Sequence, residues 1–490
     1  VAHLDISIQL DDLLTMNAHP TSSFLDRTLN NLKSGWQSIA GASYDASVAS
    51  DRPDLPESDQ GRIRQQMLDC LEGKGGEVSA RSRAAALGHV YLALDATGRE
   101  RFLKLLAGEF GVNQNAVDDA IEVVNKATNP IDRSRAEENL RIALVAPRVK
   151  LLTQFNALPE GVKFLVDMRA DLLPLSRKHP ELKGLDNDLK NLLMSWFDVG
   201  FLELRLIKWD SSPAALLEKL IAYEAVHAIA SWDDLKNRLD SDRRCFAYFH
   251  PRMPDEPLIF VEVALVNGIA GNVQALLDED APVIDPNTAD TAIFYSISNA
   301  QKGLAGISFG NFLIKGVVAE LAAEFKNLKK FSTLSPIPGF RKWLDESLSE
   351  GQANLLKPAE RRALNQATGR TGGAKGGLKQ ALENDEWSTN EPLHHALQAP
   401  LQRLVAQYLI EAKGKDGRAR DPVAHFHLSN GAIMERLNWM GDSSKNGLRL
   451  SCGMMINYLY NLDRIEDNHE AYSGARQIKT SSSLKNILKG

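Results

Sequence analysis

The chain has 490 residues, 43% hydrophobic, 24% charged and 7% aromatic, an ordinary globular composition that excludes disordered, collagenous and coiled-coil classes. Lys+Arg is 57 against Asp+Glu 63, a formal net charge of −6. That balance excludes a protein built to hold nucleic acid, while leaving room for a local basic pocket that takes a phosphorylated small molecule.

Three scattered cysteines, Cys70, Cys245 and Cys452, form no C-x-x-C pair. A zinc ribbon is excluded and a disulfide framework disfavoured, so the chain reads as reduced and cytoplasmic. No apolar run reaches the ~18 residues of a membrane span. The opening stretch VAHLDISIQLDDLL has acids within its apolar residues and no basic segment before them, unlike a secretory signal.

In chain order, residues 1–190 read as a helical bundle for assembly or support. GRIRQQMLDCLEG, RERFLKLLAGEFG, AVDDAIEVVNKA and RAEENLRIALVA repeat apolar residues at intervals of three and four. Asn113 or Asn115 is expected to cap one of these helices, and Asp132 or Ser134 another. DRPDLPES (51–58) reads as a connector. After 190 the texture changes. CFAYF (245–249), PLIFVEVAL (257–265), TAIFYSIS (291–298) and KFSTLS (330–335) are strand-like runs bounded by turn residues. NFLIKGVVAELAAEF (311–325) carries one apolar helical stripe between the last two, which predicts a βαβ unit. Gly-rich ATGRTGGAKGGL (367–378) reads as a mobile loop. The fold class is α+β, with domains expected at 1–190 and 191–490.

Four places carry candidate chemistry. Gly303-Leu304-Ala305-Gly306-Ile307-Ser308-Phe309-Gly310-Asn311 follows a strand and opens a helix; its glycines admit close approach of a ligand, and a helix start favours a pyrophosphate. It matches neither G-x-x-x-x-G-K-[ST] nor G-x-G-x-x-G. Ser335, in STLSPIPGF, stands at a strand end that Pro336 and Pro338 force out of the sheet, so its hydroxyl either bonds the backbone or does chemistry. His425 and His427 alternate with Phe426 and could share one face of a strand. They could be structural, begin a metal site that needs further ligands, or supply an acid/base near neutral pH. His250 and the pair Tyr458 and Tyr460 set polar groups in apolar surroundings. His394-His395 reads as solvated surface.

TAIFYSIS, GLAGISFGNFLIK (303–315), FSTLSPIPGF (331–340), PVAHFHLSNGA (422–432) and SCGMMINYLY (451–460) together resemble the malonyl-CoA decarboxylase family, with RRCFAYFHPRMPDEPLIFVEVAL (243–265) similar more loosely. The resemblance covers most of 190–490. It implies an all-α N-terminal domain used in homo-oligomerisation and a C-terminal GNAT-like α/β domain of the N-acetyltransferase type. It implies conversion of malonyl-CoA to acetyl-CoA and CO2 with no metal or other cofactor. It places catalytic roles on Ser335 and His427, supporting roles on Tyr460 and His250, and substrate binding on Ala305, Gly306, Ile307, Ser308, Phe309, Gly310 and Asn311. Some relatives carry Glu where Ser308 stands, and that carboxylate's role does not transfer. The alternative is an acyltransferase of the same fold that moves an acyl group from coenzyme A; a non-enzymatic scaffold and a metal hydrolase are more distant.

Overall fold

The computed structural model describes residues 32–37, 39–40, 47–72, 76–197, 199–307, 312–350, 355–369, 374–383, 385–414 and 416–489. Its first part is helical: α1 Glu57–Glu72, α2 Glu77–Ala93, α3 Ala96–Glu109, α4 Gln114–Lys126, α5 Pro130–Ala143, α6 Pro147–Phe155, α7 Gly161–Lys178 and α8 Lys183–Trp196. The connector expected over 51–58 is short, since Glu57 and Ser58 already belong to α1. Asn113 caps α4 by accepting from the Ala116 N–H, and Asn115 lies inside that helix. The cap of α5 is Asn129, not Asp132 or Ser134. Pro130 follows at the first helical position, where it has no N–H to waste, and the Asn129 side chain accepts from the Asp132 N–H. Helix α7 is buried over most of its surface, with Val162, Phe164, Leu165, Val166, Met168 and Leu172 inside together with Lys163 and Arg169. Such a helix belongs at the centre of its layer.

The second part holds a mixed sheet with strand order β1-β2-β3-β4-β5-β8-β6, β7 pairing with β8. The strands are β1 Glu203–Ile207, β2 Arg243–Phe249, β3 Ile259–Val266, β4 Thr291–Asn299, β5 Lys330–Thr333, β6 Ser335–Pro336, β7 Ile433–Asn438 and β8 Met455–Tyr460. The expected βαβ unit is present: β4 and β5 pair in parallel and α11 (Phe312–Glu324) follows β4 in the chain. All other pairings are antiparallel. The remaining named helices, in chain order, are α9 Ala214–Tyr223 and α10 Trp232–Arg238 before β2, then α12 Phe340–Ser349, α13 Pro358–Thr368, α14 Ala374–Ala381, α15 Glu391–Glu411, α16 Pro422–Ser429, α17 Lys445–Ser451, α18 Ile465–Ser473 and α19 Ser482–Lys489. The Gly-rich stretch expected to be a loop is partly helical: α13 stops at Gly369, which is left-handed, and α14 resumes at Ala374.

Strands β2, β3 and β4 bury mostly apolar residues on both faces. Phe246, Tyr248, Val261, Val263, Ala292 and Phe294 join the large core that also contains the helical region. Their neighbours Cys245, Ala247, Phe249 and Phe260 build a second cluster, and Ala264, Ile293 and Tyr295 a third. A sheet covered on both sides buries runs of Val, Ile and Phe, which is why these strands were readable as largely apolar runs.

Candidate active site

Strands β5 and β6 are one strand with a gap. Phe331 and Ser332 pair with Tyr460 and Leu459, and Ser335 and Pro336 pair with Ile456 and Met455, in one unbroken register. Between them side chains replace the ladder. The Tyr458 N–H donates to Thr333 Oγ1 at 3.1 Å, and Ser332 Oγ donates to the Tyr458 carbonyl at 3.1 Å. Asn457 Nδ2 donates to the Thr333 carbonyl at 2.8 Å. No backbone group of Tyr458 is left unpaired inside the sheet, as burial requires. Meanwhile the Leu334 N–H turns to the Phe294 carbonyl on β4. The gap delivers Ser335 to a buried position beside its own strand's Thr333.

His427 arrives from the other side on α16. The sequence suggested that His425 and His427 share a strand face; they lie on a helix instead, and each bonds a different tyrosine. Asp421 and Pro422 are the reason. The Asp421 carboxylate caps α16 by accepting from the N–H groups of Val423 and Ala424, with Pro422 at the first helical position. His425 Nδ1 lies 2.8 Å from the Tyr472 hydroxyl. His427 Nδ1 lies 2.8 Å from the Tyr460 hydroxyl, and its Nε2 lies 3.1 Å from Ser335 Oγ. Ser335 Oγ donates to Thr333 Oγ1 at 2.8 Å. The His427 ring also stacks on Tyr458, centroids 4.5 Å apart and planes 26° from parallel.

With Ser335 donating to Thr333, the remaining donors fall in line: Tyr460 Oη–H to His427 Nδ1, and His427 Nε2–H to Ser335 Oγ. Every member is a hydroxyl or an imidazole, so the reverse polarity needs no movement of heavy atoms. All four residues are buried. Burial holds the His427 imidazolium down to a pKa of about 3, so the ring is neutral at pH 7. Burial pushes the Tyr460 phenol well above its usual range, so it too stays protonated.

Asp421 also ties the two halves of the site together. Its second oxygen accepts from the Gly339 N–H, at the end of Ser335-Pro-Ile-Pro, and from the Tyr408 hydroxyl, both at 3.3 Å. Burial raises its carboxyl to about 6. Thr333 and Asn457 carried no separate signal in the sequence. The Asp-Pro pair before a helix was a usable one for Asp421.

The other candidates fall elsewhere. His250 is buried against the Phe197 ring, centroids 4.7 Å apart, and its Nδ1 accepts from the Arg252 N–H. His394, expected on the surface, is half-buried and accepts from Trp439 Nε1. Ala305, Gly306 and Ile307 form a turn at the start of the glycine-rich stretch, while Ser308, Phe309, Gly310 and Asn311 lie outside the described residues. Among the described residues no group of three or more His, Cys, Asp or Glu side chains could hold a metal ion. A surface cleft of about 340 Å³ near Lys208, Trp209, Lys236 and Arg244 contains none of the candidate residues.

A helical region followed by a mixed sheet, with Ser335 on β6 and His427 on α16 joined in a buried hydrogen bond, defines an α+β protein. Comparison with known proteins narrows this. The family described as "Malonyl-CoA decarboxylase C-terminal domain" matches residues 200–490, and that described as "Malonyl-CoA decarboxylase N-terminal domain" matches residues 110–197. The mitochondrial malonyl-CoA decarboxylase of Mus musculus is 40% identical over 409 residues, 80% of this chain and 82% of that protein. Its counterpart from Anser anser anser is 40% identical over 426 residues, 84% of each. The crystal structure of malonyl-CoA decarboxylase from Rhodopseudomonas palustris superimposes with a TM-score of 0.80 at 42% identity, covering 87% of this chain and 99% of that one. That from Agrobacterium vitis gives 0.78 at 40%, with the same coverage. The chain belongs to the malonyl-CoA decarboxylase family, a family of carboxy-lyases.

Proposed function

We propose that this protein converts malonyl-CoA to acetyl-CoA and CO2 at Ser335 and His427, with Tyr460 in support. The observation that carries the reading is the buried Tyr460–His427–Ser335–Thr333 chain of hydrogen bonds. Loss of CO2 leaves a carbanion at the α-carbon that delocalises onto the thioester oxygen as an enolate. A donor aimed at that oxygen is worth about 3 kcal/mol. The thioester itself supplies the electron sink, so the reaction needs no metal or organic cofactor. Overall one proton is consumed: the malonyl carboxylate departs as CO2 and a C–H bond forms where the C–C bond broke.

In this reading His427 delivers that proton and Ser335 exchanges one with it, and solvent finally refills the chain. A neutral chain suits the task. A cationic imidazole beside the malonyl carboxylate would stabilise the ground state, which slows departure of CO2. Ala305, Gly306 and Ile307 are proposed to contact the coenzyme A portion. The GNAT-like assignment is proposed on the divergence of β4 from β5: the two pair from Thr291 and Lys330 as far as Phe294 and Thr333, and β4 then runs on to Asn299.

The test is Ser335→Ala and His427→Asn, following acetyl-CoA from malonyl-CoA. Each is expected to lower kcat by about 10²-fold or more with the fold intact. Near-native turnover in both folded variants would overturn the assignment. Appearance of free thiol with an amine acceptor, without release of CO2, would establish acyl transfer instead.

Self-association through the helical region is proposed as well. The hairpin of α4 and α5 and the residues just after it leave Ile121, Val123, Ile131, Ile142, Leu144 and Val145 exposed, and exposed apolar residues gathered on one element are a mark of an interaction surface. Light scattering that reads the mass of one chain at micromolar protein would remove this proposal.

A further inference from the structure

The turn proposed to hold coenzyme A is built partly by the helical region. Leu304-Ala305-Gly306-Ile307 is a type II β-turn. Ala305 has φ −52 and ψ 133, Gly306 has φ +71, and the Ile307 N–H closes the turn on the Leu304 carbonyl at 3.0 Å. A type II turn differs from type I mainly by a half-rotation of its central peptide, here the bond between Ala305 and Gly306. The positive φ at Gly306 suits glycine, but glycine permits either turn and does not select one.

Arg169 on α7 makes the selection. It is 1% exposed. Its Nη1 donates to the Ala305 carbonyl at 2.8 Å and to the Gly303 carbonyl at 2.6 Å. Its Nε donates to Asp186 on α8 at 2.8 Å, which fixes the plane of the guanidinium. One turn earlier on α7, the Val166 carbonyl lies so close to Gly303 that a Cβ there would sit 1.7 Å from its oxygen. The turn therefore rests directly on α7. In a planar trans peptide the C=O and N–H point in opposite directions. An Ala305 carbonyl held by Arg169 turns the Gly306 N–H to the face away from the helical region.

We infer that Arg169 is a positioning residue for substrate: it locks the central peptide of this turn so that the Gly306 N–H meets an acceptor oxygen of the coenzyme A portion. The inference rests on the proposal that this turn binds the thioester. It gives the helical region a part in recognition, through a residue that touches no reacting atom.

The experiment compares Arg169→Met, Arg169→Lys and Asp186→Asn in the full chain. The readouts are kcat and KM for malonyl-CoA, Kd for coenzyme A by calorimetry, and melting temperature. Arg169→Met is expected to raise KM and Kd together by about tenfold with kcat changed by less than about threefold, since the interaction is uniform through the reaction. Arg169→Lys should recover part of the loss, and Asp186→Asn should give a smaller rise. If Arg169→Met does not fold, the other two variants carry the same comparison. Folded variants with KM and Kd unchanged and only a lowered melting temperature would overturn the inference. Malonyl-pantetheine separates the two halves of the ligand: an unchanged KM in Arg169→Met assigns the contact to the phosphorylated nucleotide half, a raised one to the pantetheine half. If the wild type binds coenzyme A with this dependence on Arg169 but releases no CO2, the proposed reaction fails while the inference stands. If the wild type turns over malonyl-CoA with no such dependence, the inference fails while the proposed reaction stands.

Discussion

Two of the buried polar clusters among the described residues are built on opposite principles. At the end of β5 and β6, Tyr460, His427, Ser335 and Thr333 are joined by hydrogen bonds between neutral groups. On β3 and β4 the cluster is built around a cation. Arg238 on α10 donates to Asp234 at 2.7 Å and to Glu262 at 3.1 Å. Glu224, just after α9, accepts from Ser296 and Ser298 and from the N–H groups of Val226 and His227. The Arg238 guanidinium is a fixed charge and imposes one polarity on its neighbours, because it only donates. Such a cluster fastens α9 and α10 to the sheet and has no second arrangement. The neutral chain has two of equal heavy-atom geometry, the property a proton-transfer site requires. What separates the clusters is the reversibility of their bonds, not their degree of burial.

The sharpest way to break this contrast is to remove that cation. Arg238→Ala leaves the buried Asp234 and Glu262 and the half-buried Glu224 without it, and is expected to cost about 3–5 kcal/mol of stability. Chemical denaturation measures this, and an unchanged midpoint would show that the cluster is not held by charge.

The pH dependence of stability should separate the clusters by sign. The His427 pKa is depressed from 6.5 to about 3. Stability is therefore fully present above 6.5 and lost as pH falls toward 3, by about 2 kcal/mol already at pH 5. His427→Gln should flatten that acid limb. Glu262 is raised from 4.5 to about 8, by burial and then by the charge of Glu224. Its contribution is present below 4.5 and lost as pH rises through about 8, and Glu262→Gln should flatten that opposite limb. Melting temperatures from pH 4 to pH 9 for the three proteins test both signs. Parallel curves for wild type and His427→Gln below pH 6.5 would mean that the imidazole is hydrated.

The smallest expected effect is Tyr460→Phe. It removes the hydroxyl that faces His427 Nδ1 and should lower kcat by about tenfold, with KM nearly unchanged. An equal loss in KM would assign Tyr460 to binding instead of to the chain.

The sequence exposed these regions unequally, for physical reasons. Strands β2, β3 and β4 were legible because both faces are buried and the runs stay mostly apolar around Glu262, Ser296 and Ser298. Strands β1 and β7 were missed: Glu203 and Arg205 in one and Glu435 and Arg436 in the other interrupt any apolar pattern. These are strands with a face or an edge in water, where charge is tolerated. The alternation of His425 and His427 with Phe426 suggested a strand, but Asp421 and Pro422 start a helix there, and the cap outweighs a three-residue pattern. Ser335 and His427 were singled out as a pair through the family resemblance, not through spacing. Thr333 and Asn457 stayed invisible because their partners lie about 125 residues along the chain and meet them only when β8 returns to the sheet. Arg169 gave no signal for the same reason: an arginine on an amphipathic helix reads as surface until its carbonyl partners are seen.

The gap between β5 and β6 has a consequence for how this sheet tolerates change. Elsewhere the strands are stitched by main-chain atoms, which every amino acid except proline supplies. Over Thr333 and Leu334 the stitching is done by Ser332, Thr333 and Asn457, so continuity there is written in residue identity. Apolar substitutes of similar size would strand the Tyr458 main chain without partners and invite the two short strands to zip into one. Ser335 would then be carried off its mark by a change that touches neither Ser335 nor His427.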